Sequence, residues 1–163
     1  MLIILKNKDT LCVDDFRFKC VIGKNGTSKN KVEGDKKTPI GTFSLGPLYF
    51  RNDRNKKIDT NLKIIKIKKN MGWCDDVNYK KYNKLIKITK KIKHEKMFRT
   101  DHKYDYVIPI KYNFNYPKKN KGSAIFIHLT SNYKKTLGCV ALNKNDMIIL
   151  LKIIKKDTKI KIT

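Results

Sequence analysis

The sequence predicts a β-rich domain of the mixed α+β class, with one helix near the carboxyl end of the chain. Three observations support this fold class. Short runs with the apolar and alternating patterns of strands recur along the chain. A segment rich in Gly, Asn and Ser, typical of turns, follows the first three of these runs. One longer apolar segment, residues 146–156, has helix-capping residues before it and lysines near its end.

The length and the composition of the chain fit one domain. Its 163 residues, 40% of them hydrophobic, suffice for a single core, and no linker or repeat divides residues 1–163. No apolar run approaches the roughly 20 residues of a membrane-spanning helix, so no membrane span is expected. The first residues lack the basic region and the cleavage site of a secretion signal, so no such signal is recognised.

The amino-terminal part of the chain is predicted to form three strands and a long loop. Residues 2–5, 10–13 and 16–22 have strand-like patterns, and two aspartates between the second and third runs indicate a hairpin turn. The loop begins at residue 23, and a strand resumes at Gly41.

The middle of the chain has weaker patterns. Residues 62–67 and 85–88 are predicted to be short strands that lie among lysines. Residues 70–78, which contain the only tryptophan, are predicted to be a loop.

The carboxyl-terminal part has the clearest signal. Apolar alternation over residues 124–129 predicts a strand that carries His128 on one face and leads into a loop. Asn143 or Asn145 is expected to cap the helix, whose body is apolar nearly all round and is therefore expected to be buried. Residues 158–162 are predicted to be the last strand.

The chain is strongly basic. Lys and Arg number 39 and Asp and Glu 14, which gives a net charge of +25 and a field that attracts polyanions. Only four of these cations are arginines, the residue that base readout and bidentate phosphate contacts prefer. The lysines are scattered and follow no nucleic-acid-binding motif, so specific nucleic-acid binding is not expected.

The cysteines and histidines outside the carboxyl-terminal motif are interpreted as structural. The four cysteines lack the paired spacing of zinc ribbons, so no metal and no cofactor are expected. Cys12 and Cys20 flank the hairpin turn and are interpreted as packing residues. Cys74 precedes two aspartates, which raise the pKa of a thiol, so it is interpreted as structural or as shaping the groove. His94 and His102 are expected to be hydrogen-bonded loop residues.

One cysteine and one histidine have the chemistry of a nucleophile and its base. His128 lies at the end of a predicted strand, and Cys139 follows 11 positions later, directly after Gly138. A thiolate attacks carbonyl carbon, an imidazole takes the thiol proton, and a neighbouring glycine lets backbone N–H groups approach the developing oxyanion. Spacing alone leaves open whether these two are catalytic or core residues.

Several short motifs occur in a fixed order along the chain. They are Gly23-Lys24-Asn25-Gly26, Glu33-Gly34-Asp35, Thr38-Pro39-Ile40-Gly41, Gly72-Trp73-Cys74-Asp75-Asp76, His94-Glu95, Tyr112-Asn113, Gly122-Ser123-Ala124-Ile125-Phe126-Ile127-His128 and Gly138-Cys139-Val140-Ala141-Leu142. Together they resemble the L,D-transpeptidase catalytic domain of the YkuD/ErfK type, over residues 23–151. The resemblance implies a single β-sandwich domain with one helix after the cysteine.

The resemblance also implies a reaction and its residues. Cys139 would attack a peptidoglycan stem tetrapeptide at its L-centre, form a thioester and expel the terminal D-alanine, with His128 as base. Gly138 would shape the oxyanion hole with the Cys139 amide, and no cofactor is implied. Candidates for substrate binding are Trp73 and Tyr112, which would line the peptide groove, and Thr136. A single Trp in a loop is as often a packing residue, so that alternative stays open for Trp73. The helix after Cys139 would point its positive end toward the thiolate.

Two positions depart from the commonest form of the family. Leu137 stands where a histidine often precedes the Gly-Cys pair, and Ala141 stands where an arginine often follows it. The missing arginine removes a possible anchor for a substrate carboxylate. Whether the chain recognises the donor peptide in the usual way is therefore an open question. The attack itself needs only Cys139, His128 and the oxyanion donors.

Two other functions remain open at this point. In the first, the domain is not catalytic and binds an anionic polymer through its basic residues. In the second, Cys139 and His128 catalyse the hydrolysis of another peptide. The acceptor of the acyl group, an amine or water, is also open, as is the oligomeric state. The resemblance implies the periplasm or cell envelope, while the lack of a recognised export signal leaves a cytoplasmic location open.

Overall fold

The computed structural model describes residues 1–163. It contains fifteen strands and one helix, which loops connect. The first eight strands are β1 (Leu2–Lys6), β2 (Thr10–Val13), β3 (Phe16–Val21), β4 (Thr27–Ser28), β5 (Thr38–Pro39), β6 (Gly41–Ser44), β7 (Leu48–Phe50) and β8 (Ile64–Lys66). The remaining elements are β9 (Met71–Cys74), β10 (Leu85–Lys87), β11 (His94–Lys96), β12 (Tyr106–Pro109), β13 (Phe126–Leu129), β14 (Val140–Leu142), α1 (Lys144–Ile153) and β15 (Lys159–Ile162).

Ten strands form one mixed sheet in the order β6-β15-β1-β2-β3-β14-β13-β12-β7-β8. Most neighbours are antiparallel, but three pairs are parallel, namely β1 with β15, β13 with β14 and β7 with β8. A second sheet has the order β10-β9-β11, and β4 pairs with β5. The parallel pair β13 and β14 matters for function, because the segment that connects them carries Cys139.

A core of 26 buried residues holds the long sheet together. It includes Ile3 of β1 and Ile160 of β15, together with Leu48 of β7 and Ile108 of β12. Because strands far apart in the order share this core, the sheet curls over into a sandwich-like arrangement. The β-rich mixed α+β class predicted from the sequence, with its sandwich and single helix, is confirmed.

Strands with an alternating or short apolar pattern were predicted close to their observed bounds. The hairpin of β2 and β3 forms as expected, and Cys12 pairs with Arg17 across it, so Cys12 and Cys20 do not face each other. All four cysteines are free thiols. Cys20 lies in the core, and burial raises the pKa of its thiol to about 12, in accord with a packing role.

The prediction of a loop over residues 70–78 was wrong for its first half. Met71–Cys74 forms β9, the central strand of the smaller sheet, paired on both edges with β10 and β11. Its last three residues are all buried, so the strand has no polar face and shows no alternation in the sequence.

The helix begins and ends earlier than predicted. Asn143 is the cap, with its side chain accepting from the Asp146 N–H at 2.9 Å. The helix stops at Ile153 because the next residues turn toward β15. The expectation that the helix is buried all round was wrong, because Ile149 is 40% exposed while the opposite face packs on the core. No helix of the chain has the length and apolar character that crossing a membrane requires.

Candidate active site

The parallel pair β13 and β14 brings His128 and Cys139 to the same place. His128 is opposite Ala141 in the register of the pair, and Cys139 directly precedes the first residue of β14. Both side chains line one cleft of about 650 Å³. The two residues that the sequence singled out therefore share a cavity that is large enough for a peptide substrate.

The Cys139 thiol is buried and hydrogen-bonded to the backbone. Its Sγ donates to the Ala124 carbonyl at 3.2 Å and accepts from the Phe126 N–H at 3.4 Å. Burial, with the nearby negative charge of Glu95, raises the pKa of Cys139 to about 12. The Phe126 N–H and the charge of Lys31 oppose this shift. The Cys139 thiol is therefore neutral in the resting state.

The His128 ring has one nitrogen fixed and one free. Nδ1 lies 2.8 Å from the Leu129 carbonyl oxygen, which can only accept, so Nδ1 carries the proton and Nε2 keeps its lone pair. The ring packs edge-on to Tyr104, with centroids 5.3 Å apart. Burial lowers the pKa of His128 to about 4, so the imidazole is neutral. No hydrogen bond joins His128 to Cys139 in this state.

The backbone around Cys139 is held by Thr136. The Thr136 Oγ1 donates to the Cys139 carbonyl at 2.6 Å and accepts from the Gly138 N–H at 3.1 Å. Gly138 has a φ of +137°, and a Cβ there would lie 2.9 Å from the Lys37 carbonyl oxygen, so only glycine fits without strain. The N–H of Cys139 donates to no protein acceptor.

The expected position of the helix relative to the thiol was wrong. Helix α1 begins after β14, so the three residues of that strand, about 10 Å in length, separate the helix start from Cys139. The helix therefore lies at the far end of β14 from the thiol, and the pKa of Cys139 is raised.

The three residues implied in substrate binding have different positions. Thr136 lines the cleft and organises the backbone beside Cys139. Trp73 is only 2% exposed, with its Nε1 donating to Asn83 and its ring packed against Phe126. Tyr112 is half-buried and donates to the Lys121 carbonyl at 2.6 Å. Neither aromatic residue lines the cleft.

One wall of the cleft carries three carboxylates to which the sequence assigned no role. They are Glu33, Asp75 and Glu95. Ser123 donates to Glu33 at 2.8 Å, and Tyr104 donates to Glu95. Burial raises the pKa of Asp75 and of Glu95, and the mutual repulsion of these carboxylates adds to both shifts. All three stand in motifs that the sequence did reveal, but nothing in the sequence showed that they meet.

Cations line other parts of the same cleft. Lys31 is only 3% exposed and forms an ion pair with Asp35 at 2.6 Å. Lys103, Lys134 and Lys135 line the cleft without an ion pair. The cleft therefore offers both signs of charge to a ligand. No group of three or more His, Cys, Asp or Glu side chains has an arrangement that would hold a metal ion.

The histidines outside the motif are bonded to the backbone. His94 lies on β11 with its Nδ1 2.7 Å from the Ile92 carbonyl oxygen, and His102 has its Nε2 2.9 Å from the Thr130 carbonyl oxygen. Both are hydrogen-bonded residues, as expected, although His94 lies on a strand and not in a loop.

Comparison with known proteins identifies the family. The sequence profile of the YkuD family, described as the L,D-transpeptidase catalytic domain, matches residues 2–162. No curated protein and no solved structure gave a match. Since the profile spans nearly the whole chain, this protein belongs to the YkuD family of L,D-transpeptidase catalytic domains.

Proposed function

We propose that the chain is a cysteine acyltransferase that acts on peptidoglycan stem peptides, with Cys139 as nucleophile and His128 as base. The family supports the transpeptidase class and the peptidoglycan substrate. The observation that carries the proposed roles is that a thiol, a neutral imidazole with a free Nε2 and an unpaired backbone N–H border one cleft.

The first half-reaction forms a thioester. As Sγ of Cys139 attacks the carbonyl carbon at the L-centre of the donor stem, His128 Nε2 accepts the thiol proton. The carbonyl oxygen becomes an oxyanion, and the Cys139 N–H beside Gly138 donates to it. The C–N bond to the terminal D-alanine then breaks, and the His128 proton goes to the departing amine.

The second half-reaction releases the acyl group from Cys139. A side-chain amine of another stem loses a proton to His128 and attacks the thioester carbon. The C–S bond breaks, the cross-link forms, and His128 returns the proton to Sγ of Cys139. Attack by water at the same carbon gives an L,D-carboxypeptidase product. The charges of the cleft suit a zwitterionic peptide, because stem peptides carry both amine and carboxylate groups. A peptidoglycan substrate supports a location in the periplasm or cell envelope as part of this proposal, and a cytoplasmic wall fragment is the alternative substrate.

The neutral resting state of the pair suits this chemistry. A base must be unprotonated before it accepts a proton, and the low pKa of His128 keeps it so throughout the neutral range. The thiol proton then leaves as the C–S bond forms, so no charged pair has to exist before the substrate enters. Burial of both groups thus keeps the pair uncharged until the substrate is bound.

Intact-protein mass spectrometry with a carbapenem tests the proposed roles. Its strained β-lactam carbonyl is open to thiolate attack, so we expect one adduct on the wild type and none on Cys139→Ala. His128→Ala should slow the adduct by about 10²- to 10⁴-fold, the range for general-base loss. Absence of an adduct on the folded wild type would overturn the proposal. Salt-dependent binding to an anionic polymer that persists in Cys139→Ala would then favour a basic binding module.

Stem peptides distinguish the possible outcomes of the second step. We expect a tetrapeptide donor to lose D-alanine and, with an amine-bearing stem present, to give a cross-linked product. Release of product at the same rate without any amine acceptor would assign the chain to the hydrolases.

A further inference from the structure

Thr38, in the Thr-Pro-x-Gly motif, connects two distant parts of the chain. Its side chain is fully buried. Its Oγ1 donates to the Gly138 carbonyl at 2.9 Å and accepts from the Gly23 N–H at 2.9 Å. The hydroxyl therefore makes a donor and an acceptor bond, one of them to the residue before Cys139.

The bond to Gly138 fixes the direction of the Cys139 N–H. The Gly138 carbonyl and the Cys139 N–H belong to the same peptide unit, which is planar and trans, since the chain has no cis peptide bond. In a trans unit the carbonyl and the N–H point in opposite directions. A hydroxyl that holds the carbonyl oxygen therefore holds the N–H on the other side.

Thr136 holds the peptide units on either side of this one. It accepts from the Gly138 N–H and donates to the Cys139 carbonyl, so these two groups are already engaged. The Cys139 N–H is left as the unpaired donor beside the thiol. Donation to the Gly138 carbonyl also polarises this peptide unit and makes its N–H a stronger donor.

We infer that Thr38 is a positioning residue, which aims and polarises the Cys139 N–H toward the oxyanion through the Gly138–Cys139 peptide unit. The inference rests on the proposed function, in which this N–H stabilises the oxyanion. Thr38 touches no reacting atom. It acts through the backbone that carries the nucleophile.

A paired rate measurement separates this role from a structural one. Acylation by a carbapenem develops an oxyanion, whereas alkylation by iodoacetamide displaces iodide at a saturated carbon and develops none. Both reactions occur at the Cys139 thiol, so alkylation reports the access and ionisation of that thiol. The ratio of the two rates therefore reports the oxyanion donor.

The variants are Thr38→Val, which keeps the shape and loses both hydrogen bonds, and Thr38→Ser, which keeps the hydroxyl. We expect Thr38→Val to lower the acylation rate constant by about 10- to 100-fold, below the loss of a whole oxyanion donor. Alkylation at Cys139 should change by less than about threefold. Thr38→Ser should restore acylation to within about fivefold of the wild type.

Peptide mapping checks that each variant is folded, because the buried Cys20 and Cys74 stay unmodified only in the native state. If Thr38→Val fails this check, Thr38→Ala takes its place with the same expected ratio. An unchanged acylation rate, or equal losses of acylation and alkylation, would overturn the role of Thr38. A wild type that is alkylated but never acylated would instead overturn the proposed function.

Discussion

Cys139 and His128 have opposite pKa shifts with one physical cause. Burial disfavours the charged form of each group, so it raises the pKa of the thiol to about 12 and lowers that of the imidazole to about 4. Over the range between these values, both groups are neutral in the free enzyme. In the proposed mechanism, proton transfer therefore accompanies attack on the substrate.

The pH dependence of alkylation tests this neutral state. Below the pKa of a thiol, the thiolate fraction rises tenfold per pH unit. We therefore expect the rate of iodoacetamide alkylation at Cys139 to rise about tenfold per pH unit between about pH 7 and pH 10. For a free thiol, whose pKa is about 8.5, the alkylation rate levels off within this range. Site-specific rates come from peptide mapping. A plateau near neutral pH would show a thiolate paired with imidazolium and would contradict this expectation.

The two carboxylates Asp75 and Glu95 show which residue-level features escape sequence reasoning. Each stands in a recognisable motif, but the motifs lie about 20 residues apart on β9 and β11. Their shared wall exists because these two strands pair, and β9 was predicted as loop. His128 and Cys139 could be paired from the sequence, because their side-chain chemistry and their motif indicate the same two residues.

The element that decides the site is the segment of residues 130–139 between β13 and β14. Parallel neighbours cannot be joined by a tight turn, so the chain must cross from the end of one strand to the start of the next. Gly138 lies near the end of this crossing. Its φ is +137°, and an added Cβ would clash with the Lys37 carbonyl oxygen, so the position admits no side chain. The segment therefore depends on glycine at this position.

Gly138→Ala tests that dependence, with Gly26→Ala as the matched control. Both glycines have positive φ, but a Cβ at Gly26 meets nothing within 4 Å. We expect the free energy of unfolding to fall by about 1 kcal/mol for Gly26→Ala, from backbone strain alone. Gly138→Ala should lose about 3 kcal/mol, from strain and contact together, and should slow acylation.

Urea unfolding monitored by circular dichroism gives both free energies. Equal losses in the two variants would mean that the contact with the Lys37 carbonyl has no energetic effect. Acylation of Gly138→Ala at the wild-type rate would contradict the dependence of the site on this backbone.

Strands with a clear sequence pattern were predictable, including the fully buried β13, whereas the fully buried β12 was not predicted. Strands β1 to β3 alternate or follow clear turns, and their bounds match within a residue or two. Strand β12 is buried along its whole length, so it has no polar face to reveal its period. The sequence predicted that either Asn143 or Asn145 caps the helix, and the structure shows that the cap is Asn143.

At the scale of the whole molecule, the charge is far from balanced. Five salt bridges engage only a few of the 39 cations, so most lysines repel one another across the surface of one small domain. Such repulsion is stronger in the compact state than in the unfolded chain. Screening by salt should therefore stabilise the fold.

Thermal unfolding at two salt concentrations measures this repulsion. The Debye length falls from about 30 Å at 0.01 M to about 8 Å at 0.15 M salt. We expect Tm to rise by about 3 °C over this range with sodium chloride, the size that about 1 kcal/mol produces in a domain of this length. A Tm that stays constant or falls would show that ion pairing, and not repulsion, dominates the surface.

The sequence by itself determined the fold class, the family resemblance and the two residues of the proposed dyad, because local periodicity and a short motif carry that information. Tertiary structure alone decided which groups surround the dyad. Thr38 lies 100 residues before Gly138, yet their hydrogen bond orients the backbone at Cys139. Trp73, expected in the substrate groove, lies in the core because β9 is covered on both sides. Contacts between distant segments depend on strand pairing and burial, which no local pattern encodes.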